Sequence, residues 1–278
     1  MDSPAHLPGD EVPRRRFLWV SDVDHTLLGP DPSDVSALAD LRDALNACRE
    51  GVWVCLNSSR PVPSIRRSLA EHAELPRPDF VSGAMGTQLQ SGDSGQDVEG
   101  YAEALGGADW PRQELVDLVL ARGGRPHAPD MQTPLKASFD VPDAVLAGEI
   151  RQEIEARGLR AKVVFSSGKD LDILPPRAGK ATAIAFLRQR LGVPGEQVVV
   201  SGDSGNDLDM FQPPYRGIVV ANAHSELKSL DRPEVFHAAG RIAAGVLQGL
   251  RHHGVLPAAP SLAGTTQNTA PTRAEQRL

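Results

Sequence analysis

The pattern of apolar and polar positions divides the chain into short apolar runs separated by longer amphipathic segments. The clearest runs are FLWVS (17–21), VWVCLN (52–57) and VVVS (198–201). None of them alternates apolar with polar residues, as a strand with one face in water would do. Uninterrupted apolar strands separated by helices predict an α/β fold, with a parallel sheet covered on both faces.

The same pattern predicts the other elements of this sheet and its helices. Apolar residues recur at helical spacing after Ser33, which can cap a helix that runs to about Arg49. Further helices are predicted at about 65–72, 178–191 and 239–251, and further strands at 79–82 and 217–222.

Residues 86–174 have a different organisation. They contain a helix that begins at Pro111, a second helix at about 142–157, and strand-like pieces near His127 and at 136–141. The segment KVVFSSGKDLDIL (162–174) predicts a hairpin with a short Ser-Gly-Lys turn. We therefore predict a small α+β cap domain at 86–174, inserted into a Rossmann-like core domain formed by 16–85 and 175–256. The polar, Pro-rich segments 1–15 and 257–278 are expected to be disordered.

Composition and charge narrow the classes of function. The 278 residues carry a net charge of −7, so no basic field favours binding to nucleic acid or to an anionic membrane. There is no apolar run of about 18 residues, and the segment after the three arginines at 14–16 is too short and too acidic for a signal peptide. A cytoplasmic protein is therefore expected. Cys48 and Cys55 have apolar neighbours and are expected to be buried thiols.

Two pairs of acidic residues follow apolar strands. Asp22 and Asp24 lie two residues apart in DVDHT, and side chains at this spacing in extended chain project the same way. Asp203 and Asp207 lie in GDSGNDL, a turn whose carboxylates suit a hard cation. Carboxylates this close repel each other unless a cation lies between them or one keeps its proton. A surface turn with two acids remains the alternative for the first pair taken alone.

Three further residues are candidates for binding phosphate. Ser58 is the first hydroxyl after the second strand, and Ser59 could take the same role. Lys180 begins a helix, where the helix dipole disfavours a cation, so a compensating anion is expected nearby. Asn206 could donate to a carboxylate or a phosphate. Each alone also fits an ordinary structural role, as a helix cap or a solvated side chain.

The order acid pair, hydroxyl, lysine, acid pair resembles the haloacid dehalogenase (HAD) superfamily of phosphotransferases, over about residues 17–252. The insertion resembles the type-IIB cap of sugar phosphatases. Within the superfamily the chain is similar to the sucrose-phosphate phosphatase group, which includes mannosylfructose-phosphate phosphatases. The segments that carry this resemblance are FLWVSDVDHT, PDFVSGAMGTQL, SSGKDLDILPPRAGKATAIAFL, VVVSGDSGNDLDMF and GIVVANAHSEL.

The resemblance implies a role for each candidate residue. Asp22 would be the nucleophile that forms an aspartyl-phosphate, and Asp24 the general acid and base. Mg²⁺ would be bound by Asp22, by the backbone carbonyl of Asp24 and by Asp203, with Asp207 supporting this metal site. The phosphoryl oxygens would be held by Ser58, Lys180 and Asn206.

The cap is expected to contact the sugar of a phosphorylated sugar substrate. The candidates are polar residues of the predicted cap strands: Lys136, Ser166, Ser167 and Lys169. Their alternative is a solvated position on the hairpin. Only 4% of the residues are aromatic, so ring stacking is expected to contribute little.

Two positions depart from the group's pattern. His25 stands where many HAD phosphatases have Gly and this group tends to have Asn, and we expect it to shape the loop. A contact of its imidazole with the substrate or with Asp24 is the alternative. Gln88 stands where the group usually has Glu at the cap hinge, which puts one polar contact in question.

The leading hypothesis is a Mg²⁺-dependent phosphatase of a disaccharide phosphate or a similar glycosyl phosphate. The alternatives are another type-IIB enzyme, either a monosaccharide-phosphate phosphatase or a phosphomannomutase, and a non-catalytic HAD-like binding module. Degenerate modules usually lose an acid, whereas Asp22, Asp24, Lys180 and Asp203 are all present. Functional pairing with a glycosyltransferase is a further expectation.

Overall fold

A computed structural model describes residues 16–31, 34–105 and 109–258. Eleven strands are found in this part of the chain: β1 (Phe17–Ser21), β2 (Val52–Asn57), β3 (Phe80–Gly83), β4 (Gln88–Ser91), β5 (Arg125–Pro126), β6 (Ala137–Asp140), β7 (Lys162–Ser166), β8 (Asp170–Leu174), β9 (Val198–Gly202), β10 (Arg216–Val219) and β11 (Val235–His237). Ser33 and the segments 1–15 and 259–278, on which predictions were made, lie outside the described residues.

The helices of the described residues are α1 (Asp34–Ala47), α2 (Val62–Glu71), α3 (Tyr101–Leu105), α4 (Arg112–Ala121), α5 (Ala144–Ala156), α6 (Lys180–Leu191), α7 (Ser225–Lys228) and α8 (Ile242–His252). α2 begins at Val62, earlier than the predicted Ile65. Within this part of the chain, no helix combines the length and the hydrophobicity needed to cross a membrane.

A seven-stranded sheet forms the larger part of the molecule, with strand order β11-β10-β9-β1-β2-β3-β4. All of its strand pairs are parallel except β3 with β4, which is antiparallel. All five residues of β1 are buried, as the uninterrupted apolar run predicts. The α/β prediction is therefore confirmed, with an antiparallel edge strand added.

The order of the strands places a crevice next to β1. Within the sheet, β2 pairs with one edge of β1 and β9 pairs with its other edge. In open α/β sheets, ligands bind where the strand order reverses, outside the carboxyl ends of the strands. Asp22 follows β1 and Asp203 follows β9, so both acids lie at this crevice.

A second sheet has the order β5-β6-β8-β7 and is antiparallel throughout. Alternate side chains of β6 and β8, including Phe139 and Leu171, join α4 and α5 in a separate apolar cluster. The intervening side chains are polar and lie on the opposite face of the sheet: Ser138 and Asp140 of β6 and Asp170 and Asp172 of β8, with Lys136 directly before β6. This polar face is the part of the sheet that meets the functional site.

The division into core and cap domains at Gly86 stays a prediction. In the structure, β4 pairs with β3 in the large sheet, and Tyr101 and Leu105 of α3 belong to the larger apolar cluster. The smaller cluster begins with Trp110 and Leu115.

Gly86, in the turn between β3 and β4, meets Gly179, which lies between β8 and α6. Gly86 has a φ of +71°, and a Cβ built there would lie 2.0 Å from the carbonyl oxygen of Gly179. Beside this contact, the amide oxygen of Gln88 accepts the N–H of Val62 at 2.9 Å. Gln88 therefore makes a polar contact at the position where it departs from the group's pattern.

We expect Gly86→Ala to lower the free energy of unfolding by more than the strain of placing a Cβ at a positive φ would. Gly123→Ala is the matched control, because Gly123 has a φ of +89° and a Cβ there would have no atom within 4 Å. The control should cost about 1 kcal/mol, as is usual for a left-handed residue with a Cβ. Gly86→Ala should cost at least twice as much in urea unfolding. Equal losses would show that the contact with Gly179 relaxes freely.

Candidate active site

Asp22 and Asp203 begin the functional site at the ends of neighbouring strands. The N–H of Asp22 donates to the carbonyl of Ser201 at 3.0 Å, which continues the β1–β9 pairing past the strand end. Asp22 and Asp203 are 5% and 3% exposed as whole residues. The hydroxyl of Thr26 lies between them, donating to Asp22 Oδ2 at 3.1 Å and lying 3.5 Å from Asp203 Oδ1.

Lys180 neutralises part of this acidic cluster. Its Nζ lies 2.6 Å from Asp22 Oδ1, 2.5 Å from Asp207 Oδ1 and 3.1 Å from Asn206 Oδ1. The side chain is fully buried at the first residue of α6. Asn57 at the end of β2 donates to the Lys180 carbonyl at 2.9 Å, so the start of this helix is tied to the sheet.

Asp207 holds the turn that carries Asp203. Its Oδ2 accepts the backbone N–H of Asp203 at 2.9 Å and that of Ser204 at 3.2 Å, while Oδ1 faces Lys180. Gly202 makes room for this carboxylate, since a Cβ at Gly202 would lie 2.6 Å from Asp207 Oδ2. Both Asp207 oxygens are therefore engaged by the protein.

The charges in the cluster shift one another's pKa values. Burial opposes the charged form of Lys180, but Asp207 and Asp22 outweigh it and raise its pKa above the usual range. Burial, Asp22 and Asp207 raise the pKa of Asp203 to about 8. Burial and Asp22 also raise the pKa of Asp207, while Lys180 and backbone N–H groups oppose this shift. The repulsion that Lys180 does not offset therefore acts mainly on Asp203, which keeps its proton to a higher pH than an ordinary aspartate.

Carboxylate oxygens of Asp22, Asp203 and Asp207 lie within 4.8 Å of one another, close enough to hold a metal ion. The donor set fits a hard divalent cation, because it consists of oxygen ligands of net negative charge. The raised pKa of Asp203 has the same origin, since a cation would remove the repulsion that keeps its proton bound.

Asp24 lies outside this cluster and faces Arg60. Its Oδ2 is 2.8 Å from Arg60 Nε, and its side chain is 44% exposed. The Arg60 Nη1 atom also donates to Ser68 of α2 at 3.0 Å, which holds the guanidinium in place. Arg60 was not among the predicted site residues. Its position one residue beyond the Ser58–Ser59 pair was the available signal.

The two candidate hydroxyls at the end of β2 have different surroundings. Ser58 is fully buried, and its Oγ accepts the N–H of Arg60 at 3.1 Å. Ser59 lines the cavity beside the acids, together with Asn206. The structure therefore places Ser59, the alternative to Ser58 in the sequence prediction, at the cavity wall.

A cavity of 390 Å³ lies above the acids and beneath the polar face of the small sheet. This volume is in the range of small-molecule sites. Of the predicted cap residues, Lys136, Ser166 and Ser167 line it. Lys169 does not, and its ammonium lies 3.3 Å from Asp140 on a mostly exposed side chain.

Lys136 connects the two halves of the site. Its Nζ donates to the Ser59 carbonyl at 2.8 Å and lies 3.2 Å from Asp172 Oδ1. The hydroxyl of Ser138 donates to the same Asp172 oxygen at 2.6 Å. Lys136 is 1% exposed, so this network is almost fully shielded from solvent.

The sequence prediction missed several residues of the cavity wall: His127, Met131, Asp170, Asp172, Ser204 and His224. Asp170 and Asp172 could have been found from their alternation with apolar Leu171 and Ile173 along β8. His127 depends on strand pairing, which brings its ring to 3.4 Å from Asp170.

The acid pairs and the buried lysine lie at the carboxyl edge of an α/β sheet, beneath an inserted cap. This combination defines a phosphatase of the HAD superfamily, which is a phosphoric monoester hydrolase. Comparison with known proteins refines this class. The chain belongs to the sucrose-6F-phosphate phosphohydrolase family, whose sequence model matches residues 15–254.

Individual relatives agree with this assignment. The chain is 35% identical to mannosylfructose-phosphate phosphatase of Agrobacterium fabrum, covering 86% of this chain and 98% of that protein. It is 32% identical to sucrose-phosphatase 1 of Nicotiana tabacum, over 87% of this chain but only 60% of the longer tobacco protein. The sucrose-phosphatase of Synechocystis, solved with sucrose and phosphate, superposes with a TM-score of 0.79 at 29% identity, covering 86% of this chain and 98% of that one.

We expect Lys180→Met to destabilise the metal-free protein strongly. The substitution leaves Asp22 and Asp207 buried without their cation, which typically costs about 3–5 kcal/mol. Lys162→Met is the control, because Lys162 forms a 2.8 Å ion pair with Asp209 but is 34% exposed. The control should cost about 1 kcal/mol or less in urea unfolding. Similar losses in the two variants would contradict the role of Lys180 as the buried counter-charge.

The raised pKa of Asp203 predicts a pH dependence of stability without metal. The unfolded chain releases this proton near pH 3.8 and the folded protein near pH 8, so the folded state binds the extra proton between these values. Stability should therefore fall as pH rises through this window, by at most about 1.4 kcal/mol per pH unit. Urea unfolding in EDTA should show this fall in wild type relative to Asp203→Asn. Parallel pH profiles of the two proteins would refute it.

Proposed function

We propose that this protein is a Mg²⁺-dependent phosphatase that hydrolyses a phosphorylated disaccharide of the sucrose-6-phosphate or mannosylfructose-phosphate type. The observation that carries the proposal is that Asp22 and Asp203 line the 390 Å³ polar cavity, with the buried Lys180 ammonium 2.6 Å from Asp22. Membership of the sucrose-6F-phosphate phosphohydrolase family supports the substrate class.

Asp22 is proposed as the nucleophile. An Asp22 carboxylate oxygen attacks phosphorus in line, the bond to the sugar oxygen breaks, and an aspartyl-phosphate forms. A proton from Asp24 goes to the departing sugar oxygen. Asp24 then takes a proton from the water that attacks this phosphorus, which releases inorganic phosphate and restores Asp22. The 44% exposure of the Asp24 side chain supports this role, because the residue must reach both the sugar oxygen and water.

Asp22, Asp203 and the backbone carbonyl of Asp24 are proposed to hold Mg²⁺, with Asp207 fixing the Asp203 turn. When bound, the ion supplies charge stabilisation for the transferring phosphoryl group. The engagement of both Asp207 oxygens by Lys180 and backbone N–H groups supports a positioning role for Asp207.

The phosphate is proposed to bind beside Ser58, Lys180 and Asn206, with Ser59 added as a candidate because it lines the cavity. Lys180 has three protons on Nζ and three partners within 3.1 Å. To donate to a phosphoryl oxygen it must exchange one of them, and the neutral amide oxygen of Asn206 is the weakest acceptor of the three. Its other proposed contribution is to hold the Asp22 carboxylate in place for attack.

The cap is proposed to read the sugar. Lys136, Ser166 and Ser167 line the cavity together with Asp170 and Asp172, and none of the described residues lining it is Phe, Tyr or Trp. Carboxylates, hydroxyls and amines match sugar hydroxyls, because a buried hydroxyl left unpaired costs about 1–3 kcal/mol. Lys169 stays a prediction as a sugar contact. Pairing with a glycosyltransferase and a cytoplasmic location also stay predictions.

Release of inorganic phosphate from a panel of substrates tests the function. With Mg²⁺, we expect sucrose 6-phosphate or mannosylfructose phosphate to be hydrolysed with a higher kcat/KM than hexose 6-phosphates. Preference for a hexose phosphate would favour a monosaccharide-phosphate phosphatase, and interconversion of hexose phosphates a phosphomannomutase. No turnover of any of them would favour a binding module.

Two isosteric variants test the proposed chemistry. Asp22→Asn should abolish phosphate release, because an amide oxygen is a poor nucleophile. Asp24→Asn should lower kcat by about 10²–10⁴-fold, the usual contribution of a general acid and base. Asp170→Asn, which changes a cavity wall residue away from the reacting atoms, is the matched control and should act mainly on KM. Appreciable turnover by Asp22→Asn would overturn the mechanism.

A further inference from the structure

The loop after β10 is a part of the molecule that the proposed chemistry does not use. It comprises residues 220–224, in the segment GIVVANAHSEL, and leads into α7. Its backbone contacts one of the acid-bearing turns, because the N–H of His224 donates to the carbonyl of Asp203 at 2.7 Å.

The side chain of Asn222 contacts the other acid-bearing turn. Its Nδ2 donates to the backbone carbonyl of His25 at 2.7 Å. On the other side its Oδ1 accepts the N–H of Ile242, the first residue of α8, at 2.9 Å. The amide thus joins the turn after Asp24 to the beginning of a buried helix.

His25 has an unfavourable backbone conformation for its residue type, and its carbonyl is bonded from outside the turn. Its φ of 60° is in the left-handed region, which Gly and Asn adopt more readily than His. The N–H of His25 donates to the Leu28 carbonyl at 2.7 Å, and its carbonyl is the group that Asn222 holds. The peptide that follows His25 carries Thr26, whose hydroxyl binds Asp22. The orientation of this peptide therefore decides where Asp24 and Thr26 stand relative to Asp22.

Ile242 is an unusual anchor for the far end of this contact. It is a β-branched residue with a φ of 48°, and it is buried. A Cβ at Gly29 would lie 2.2 Å from Ile242 Cδ1, so the same helix end also packs against the chain that follows the His25 turn. Packing holds Ile242 in place, and Asn222 takes up the N–H that this conformation presents.

We propose that Asn222 is a positioning residue that sets the turn between Asp24 and Thr26 against the nucleophile, acting through the His25 carbonyl. The proposal rests on the proposed function, in which Asp22 and Asp24 do the chemistry. Asn222 does so without touching the reacting atoms, and the same loop holds the Asp203 turn through His224. One short loop thus contacts both acid-bearing turns, in addition to the β1–β9 pairing that lies beneath them.

Asn222→Asp tests the proposal most directly. The carboxylate can still accept the N–H of Ile242, but it cannot donate to the His25 carbonyl. We expect kcat to fall about tenfold to a hundredfold, as small misplacements of reacting groups cause, with KM nearly unchanged. Gln248→Glu is the matched control. Gln248 lies in α8, and its amide oxygen accepts the N–H of Gly240, which precedes this helix, at 2.9 Å. The control adds the same charge and should keep its kcat.

Hydrogen exchange provides a readout that does not depend on activity or on metal. The amides of His25, Leu27 and Leu28 are bonded within the turn, to Leu28 and Val23 carbonyls. In metal-free protein, a peptide that covers these amides should exchange its amide hydrogens faster in Asn222→Asp than in wild type or in Gln248→Glu. If the enzyme proved inactive on every sugar phosphate, this result would still stand, so the two failures are distinguishable.

Asn222→Ala removes both bonds of the amide and serves as the second variant. The proposal would be overturned if either variant folded with a lower thermal midpoint but kept wild-type kcat and wild-type exchange in the turn. Asn222 would then be a purely structural residue. Equal losses of kcat in Asn222→Asp and Gln248→Glu would overturn it as well, since the effect would then be one of charge.

Discussion

The ion pair network of Lys180 is the interaction on which the site depends. One buried ammonium faces two buried carboxylates, and a third carboxylate lies beside them with its pKa raised to about 8. Burying a charge without a partner is costly, so these residues are stable only as a set. The strands β1 and β9 and the start of α6 each contribute one part of this set. The cluster therefore constrains both the geometry of the sheet edge and the position of the helix.

This network also explains how the fold can hold an unbalanced charge. Asp22 and Asp207 are satisfied by Lys180, by Thr26 and by backbone N–H groups, whereas Asp203 has only a distant hydroxyl contact at 3.5 Å among these groups. Asp203 therefore lines the cavity as the carboxyl of the cluster whose charged form a bound cation would stabilise most. Electrostatic preorganisation of this kind is what phosphoryl transfer requires of a protein.

Local patterns in the sequence predicted β1, β2 and β9 and the position of the strand-end acids at one edge. The edge strands β4 and β11 were missed, because QLQS has a single apolar residue and VFH is only three residues long, and both gain their structure from pairing with a neighbour. Contacts between distant segments were missed as well. Arg60 faces Asp24, and Lys136 reaches the Ser59 carbonyl, only because folding brings the segments together. Which of the two serines lines the cavity depends on the backbone rotation at the end of β2, which neither serine determines.

The alternation along β6 and β8 has a consequence for how such a protein changes over evolutionary time. Phe139 and Leu171 on one face stabilise the small sheet, while Asp170 and Asp172 on the other face line the cavity. Substitutions on the cavity face therefore leave the apolar cluster intact, and those in the cluster leave the cavity face intact. A new sugar preference can arise in this sheet through exchange of a half-buried polar residue such as Asp170, with the acid-bearing edge of the large sheet unaltered. The buried pair of Lys136 and Asp172 can change cheaply only if both residues change together.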